Sequence, residues 1–171
     1  KILITGGAGY IGSHTAVELL NSGEEIVIVD NFINSSKDVL DKIKTITNKD
    51  FKFYEVDLLD EVNLEKVFKE NEIESVIHFA ALKAVGESVE KPIEYYHNNL
   101  TGTLVLLKLM KKYGCKRIVF SSSATVYGNP AFVPITEECP LGVTTNPYGE
   151  SKSMQERILT DIYKSDDEWS V

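Results

Sequence analysis

The chain has 171 residues, 43% of them apolar and 26% charged, a length and balance that suit one globular domain with a sizeable core. Its net charge of −8 is spread along the sequence, which argues against nucleic acid as a partner and gives no attraction to an anionic membrane surface. No window approaches the roughly 18 consecutive apolar residues of a membrane span, and no signal segment precedes the first strand, so a cytoplasmic protein is expected. Cys115 and Cys139 lack C-x-x-C spacing and His14, His78 and His97 are scattered, so neither a disulfide framework nor a metal site is expected.

The first apolar run, Ile2 to Ile4, reads as a buried strand that breaks into Gly6, Gly7, Gly9 and Gly12 before a helical pattern carrying Ile11, Val17, Leu19 and Leu20. Strand, glycine turn and helix make a phosphate cradle, because glycine lets the backbone turn tightly and approach a pyrophosphate that the helix N-terminus attracts. The spacing reads either as G-x-G-x-x-G through Gly7, Gly9 and Gly12 or as G-x-x-G-x-x-G through Gly6, Gly9 and Gly12. Asn21-Ser22-Gly23 closes the helix. A second β-branched run, Glu25 to Val29, ends at Asp30, 18 residues beyond Gly12, near where a dinucleotide fold places the acid that grips the adenosine ribose. A carboxylate there repels a 2′-phosphate, so NAD is expected over NADP.

Ser35-Ser36 are expected to cap a helix carrying Val39, Leu40, Ile43 and Ile46, which Asn48-Lys49-Asp50 breaks. Phe51 to Val56 is a third strand ending at Asp57, Asp60 to Asn71 a helix, and Ser75 to Phe79 a fourth strand. The pattern then predicts one long helix from Pro92 to Tyr113, with Leu100, Leu104, Leu107 and Met110 on one side and Gly114 as its stop. Lys116 to Phe120 is a fifth strand, a proline-containing loop leads to a helix opening at Asn146-Pro147, and Trp169 to Val171 starts a sixth strand. This alternation predicts an α/β fold, a doubly wound parallel sheet of Rossmann type, with residues 1–171 forming one NAD-binding domain.

Ligands of such sheets lie beyond the carboxyl ends of the strands. The unusual residues sit at those ends: the glycine turn with Tyr10 and Ile11, Asp30-Asn31, Asp57-Leu58, Phe79-Ala80-Ala81 and Ser121 to Ser123. Asp57 can accept from an adenine amino group. Tyr148 and Lys152, four residues apart at the head of the last helix, share one face. A lysine ammonium beside a tyrosine hydroxyl favours the phenolate, which makes Tyr148 a candidate base. Asn146 can cap the helix and Pro147 suits its first turn. Ser123 can bridge a substrate hydroxyl and Tyr148, and Thr125 adds a second hydroxyl to the same mouth.

On the segments TGGAGYIGSH (Thr5–His14), VDN (Val29–Asn31), HFA (His78–Ala80), LKAVGES (Leu82–Ser88), NLTGT (Asn99–Thr103), SSSATVYGNP (Ser121–Pro130) and NPYG-SK around Tyr148, the sequence resembles the extended short-chain dehydrogenase/reductases. Within them it is similar to the 4-epimerase family that interconverts UDP-glucose and UDP-galactose through a 4-keto sugar with tightly bound NAD. The resemblance implies Tyr148 as base, Lys152 as the ribose-binding lysine that tunes it, Ser123 as the partner of the substrate hydroxyl, and Lys83, Asn98 or Asn99, and Asp57 as cofactor contacts. It also implies a homodimer through the long segment 92–113. Relative to the family the fold is expected to be truncated at its C-terminal side and to lack the substrate domain, so that this piece binds NAD without turning over sugar. Ala81 stands where many members have glycine and Glu150 where many have lysine. The 4,6-dehydratases share fold, cofactor and Tyr/Lys pair but need an Asp-Glu pair where this sequence has Ala124-Thr125. A non-catalytic NAD-binding module is the third reading.

Overall fold

The computed structural model describes residues Lys1–Val171. Five strands, β1 (Ile2–Thr5), β2 (Ile26–Asp30), β3 (Lys52–Glu55), β4 (Ser75–His78) and β5 (Ile118–Phe120), form one parallel sheet in the order β3-β2-β1-β4-β5. Ile4 pairs with Ile28 on one side and Ile77 on the other. The strand order reverses between β1 and β4, which opens a crevice at their carboxyl ends. Ser170 makes a single parallel bridge to Arg117, the beginning of the expected sixth strand.

Side chains alternate along each strand, so a strand buried on both faces must supply two apolar sets. Leu3, Val27 and Val29 point to one layer, where they meet helices α3 (Glu61–Glu70), α6 (Gly102–Lys112) and α7 (Pro147–Ser165) through Leu64, Val67, Leu106, Met110 and Leu159. Ile4, Ile26 and Ile28 point to the other, where α1 (Tyr10–Asn21) and α2 (Asp38–Thr47) contribute Ala16, Leu20 and Ile43. The doubly wound expectation therefore holds. Leu3, Ile4, Val27 and Ile28 are fully buried, and truncation of any one to alanine removes packing worth about 2–5 kcal/mol for the larger residues.

Three local expectations fail. The serines do not cap α2: its N-cap is Lys37, without a side-chain hydrogen bond, because the Ser35 hydroxyl donates to Asp30 instead, at 2.8 Å. Ile46 lies on the outer side of that helix, 66% exposed. The long helix Pro92 to Tyr113 is interrupted: α5 (Pro92–Tyr96) runs into a five-residue π-helical segment, His97–Thr101, before α6 begins. A π segment rotates the next helical turns relative to a regular 3.6 repeat. Leu104 thereby turns outward and Thr103, Leu106 and Leu109 turn in. A short helix α4 (Val85–Glu90) and a 3₁₀ turn at Ala124–Tyr127 form in stretches without apolar periodicity, where the pattern predicts no element.

Candidate active site

The carboxyl ends of the strands open onto one cleft. From the glycine turn, Gly6, Gly9, Tyr10, Ile11 and Gly12 line it; from β2 and β3, Asp30, Asn31, Asp57 and Leu58. Phe79, Ala80, Ala81 and Lys83 follow β4, Asn98 comes from the π segment, and Tyr148 and Lys152 come from α7. The fold thus brings together every residue expected at the cofactor. Ile33, Asn34 and Ser35 also line the cleft although no motif marks them, Leu82 does so from the LKAVGES segment, and Ser121 and Ser122 join them from the strand end where serines are expected.

The turn itself distinguishes the two glycine readings. Gly6 has φ +70°, and a Cβ there would lie 2.7 Å from the Ala80 nitrogen; a Cβ on Gly12 would lie 2.3 Å from the Gly6 carbonyl oxygen. Those two positions tolerate no side chain, but a Cβ on Gly7 would also lie 2.7 Å from Ile28 Cγ2, so it is the positive φ of Gly6 that favours the spacing Gly6, Gly9, Gly12. The first turn of α1 has no side-chain cap and no acidic residue, which leaves its N–H groups and positive dipole end for an anion.

Asp30 is 8% exposed, yet its carboxylate is not idle. One oxygen accepts from the Ala8 backbone N–H at 2.9 Å, and the other from the Phe32 N–H at 2.9 Å and the Ser35 hydroxyl. The same side chain thus ties the glycine turn to the turn after β2, where Phe32 is held at φ +58°. Asn31 donates to Asp57 at 2.8 Å, and Asp57 also accepts from the Leu59 N–H, so the carboxyl ends of β2 and β3 are fixed to each other.

Asn146 caps α7 by accepting from the Gly149 N–H at 2.8 Å, with Pro147 in the first turn, as expected. Lys152 is 3% exposed, donates to the Ser121 carbonyl at 2.8 Å and lies 4.6 Å from the centre of the Phe120 ring. Burial pulls its ammonium down to about 8, partly opposed by the negative charge of Glu156. Ser123 and Thr125 are not among the residues that line this cleft. The backbone at Ser123 is extended, and its hydroxyl accepts from the Thr125 N–H at 3.3 Å and the Thr125 hydroxyl at 2.9 Å. Thr125 in turn sits against Gly149, where a Cβ would meet its hydroxyl at 3.1 Å. The pair braces the first turn of α7, next to Tyr148.

Behind the cleft lies a buried polar network. Asn99 is 1% exposed and clamps Leu82 through both backbone groups while donating to Ser151 at 2.9 Å. Gln155 donates to the Asn99 carbonyl and to Thr103. The Thr103 hydroxyl already donates to Asn99, so it can only accept from His78 Nε2; His78 Nδ1 therefore accepts from Thr5 at 2.6 Å. His78 is neutral with its proton on Nε2, and burial pulls it down to about 3, with Lys152 acting in the same direction. The resemblance leaves Asn98 or Asn99 open as a cofactor contact. Asn98 lines the cleft and Asn99 is inside the protein.

Fold and cleft together define a doubly wound α/β domain of the dinucleotide-binding type, with a Tyr/Lys pair at the head of the helix that follows its fifth strand. The chain belongs to the family described as GDP-mannose 4,6 dehydratase, whose model matches residues 3–171. Among curated relatives it is 66% identical over 170 residues to UDP-glucose 4-epimerase of Bacillus subtilis and 63% identical to that of Haemophilus influenzae, covering 99% of this chain and 50% of each relative. Among solved structures, the UDP-glucose 4-epimerase of Bifidobacterium longum in complex with NAD+ and UDP superposes with a TM-score of 0.97 at 60% identity, covering 98% of this chain and 50% of that one. The chain spans about half the length of the curated relatives it matches.

Proposed function

We propose that the whole protein is an NAD-dependent UDP-glucose 4-epimerase and that residues 1–171 are its cofactor-holding domain. One observation carries the reading: the cleft joins a glycine turn that excludes side chains at Gly6 and Gly12, a buried carboxylate at Asp30, and the Tyr148/Lys152 pair. The residues fit NAD. The free first turn of α1 suits the pyrophosphate, Asp30 suits the ribose hydroxyls and opposes a 2′-phosphate, and Asp57 suits the adenine amino group. When bound, NAD supplies a hydride acceptor and donor for C4 of the sugar, so no second redox substrate is consumed. Tyr148 takes the proton of the sugar 4-hydroxyl and later returns it. Lys152, fixed through its amine to the Ser121 carbonyl, presents a positive charge on the same helix face. Support for the substrate class comes from the relatives, which are UDP-glucose 4-epimerases at 66% and 63% identity.

A dehydratase must expel water with an acid and a base. The segment after β5 offers Ala124 and Thr125 at that point, which favours the epimerase. The whole protein works in the cytoplasm as a homodimer, for which the outward-facing Ile93 and Leu104 of the 92–113 stretch give a candidate apolar contact. Binding and turnover test the proposal together. The 171-residue chain should bind NAD in preference to NADP and show no turnover of UDP-galactose in a coupled UDP-glucose assay, whereas the full-length protein should turn over. Native-rate turnover by the 171-residue chain, or preference for NADP, would overturn it.

A further inference from the structure

Lys152 and Glu156 stand four residues apart on α7, so their side chains are neighbours on one face of the helix. Both are fastened to consecutive residues at the end of β5: Lys152 donates to the Ser121 carbonyl at 2.8 Å, and the Ser122 hydroxyl donates to Glu156 Oε1. Ser121, Ser122 and Lys152 line the cleft, whereas Glu156 stands one turn farther along the helix, half-buried. Nothing else in this corner carries a negative charge to match the lysine. From β4, His78 faces it as a neutral ring, Phe120 of β5 lies beneath it, Lys83 lines the same cleft with a like charge, and Tyr148 lies one turn earlier on α7.

We infer that Glu156, oriented by Ser122, is a positioning residue whose charge keeps the buried Lys152 cationic at the edge of the cleft. The charge is the point of the arrangement. A lysine with so little exposure loses its hydration and is drawn toward the neutral amine, and the direction found for Lys152, down to about 8, leaves little margin above neutral pH. A carboxylate one turn away opposes that loss without entering the cleft, where a negative charge would face the phosphates of a nucleotide. Ser122 supplies the geometry: its hydroxyl donates to Glu156 and so holds the carboxylate against the strand end, where it would otherwise extend to solvent. The inference rests on the proposed function only for its catalytic consequence; the charge relation itself belongs to the folded chain.

The test is a titration of Lys152 in the full-length protein labelled at lysine Cε, with the resonance assigned by its disappearance in Lys152→Arg. In the unchanged protein Lys152 should titrate well below the surface lysines. Glu156→Gln, close in size and able to keep the Ser122 contact, should lower that midpoint by about one pH unit, a roughly tenfold loss of proton affinity for one unit charge removed at this range. Ser122→Ala should lower it by less, and Glu156→Asp should restore part of it. If the inference holds, turnover of Glu156→Gln falls off at lower pH on the alkaline side while thermal stability changes little. An unchanged Lys152 midpoint in Glu156→Gln overturns the inference, whatever happens to stability. A shifted midpoint in a protein that turns over no UDP-sugar upholds it and instead removes the epimerase reading.

Discussion

Removing the Asp30 side chain separates two roles that the cleft assigns to one carboxylate. In Asp30→Ala the Phe32 N–H and the Ser35 hydroxyl are partly exposed and can turn to water, but the Ala8 N–H cannot, because Ala8 is 2% exposed. A buried donor left without a partner costs about 1–3 kcal/mol, and for a chain of this length each kcal/mol lowers Tm by about 2–4 °C. With no nucleotide present, the variant should therefore melt roughly 4–8 °C below the unchanged protein, for a loss of about 2 kcal/mol. Loss of the ribose contact should in addition weaken NAD more than NADP. Thermal unfolding followed by circular dichroism gives the first quantity and calorimetric titration with each nucleotide the second. An unchanged Tm without nucleotide would show that the carboxylate does not hold the glycine turn. An unchanged preference for NAD would remove its discriminating role.

Gly12→Ala places a methyl group 2.3 Å from the Gly6 carbonyl oxygen, which forces α1 away from the turn; NAD binding measured by titration should fall by at least about tenfold, with stability lowered by about 1–3 kcal/mol. Lys152→Met should stabilise the nucleotide-free protein near pH 7 while abolishing turnover. The sign follows from a folded value of about 8 against 10.5: below pH 8 the lysine is charged in both states, and its burial costs up to roughly 3 kcal/mol that a methionine does not incur. His78 gives the opposite edge of the pH range. Its folded value of about 3 lies below the ordinary 6.5, so its neutral form contributes stability in full above pH 6.5, and that contribution is lost as pH falls toward 3. Denaturant unfolding between pH 7 and 4 should weaken by up to about 1.4 kcal/mol per unit, and His78→Gln should flatten the slope.

The parts of this protein that are legible in its sequence are those governed by short-range rules. Ile2 to Ile4 and Glu25 to Val29 are dense β-branched or apolar runs bounded by turn residues, and period-two alternation decides which layer each side chain enters. Asn146-Pro147 signals a helix start because the cap and the fixed φ act within one turn. Ser35 misleads because its local option, capping α2, competes with a longer-range one: the buried Asp30 carboxylate needs a donor more than the exposed helix end does. The π segment is unreadable for a similar reason. It accompanies the contacts by which Asn99 reaches Leu82 and Ser151 across the cleft wall, which no periodicity within residues 92–113 encodes. Gln155 and Glu156 do leave a signal, two polar residues following Lys152 on a helix whose buried face also holds Leu159, but their partners lie on α6, on the π segment and after β5, and emerge only when the sheet is assembled. Ser123 illustrates the converse: its position at a strand end makes it a candidate for the cleft, and two backbone angles turn it onto the 3₁₀ turn beside it.

Under the proposed function, Tyr148 moves a proton for a sugar held beside NAD in this cleft. The most direct measurement compares UDP-galactose turnover of the full-length protein with that of Tyr148→Phe, with bound nucleotide quantified in both. Turnover should fall by at least about 10²-fold, the lower end of a general acid–base contribution, with NAD content unchanged. Near-normal turnover in the phenylalanine variant would contradict the claim.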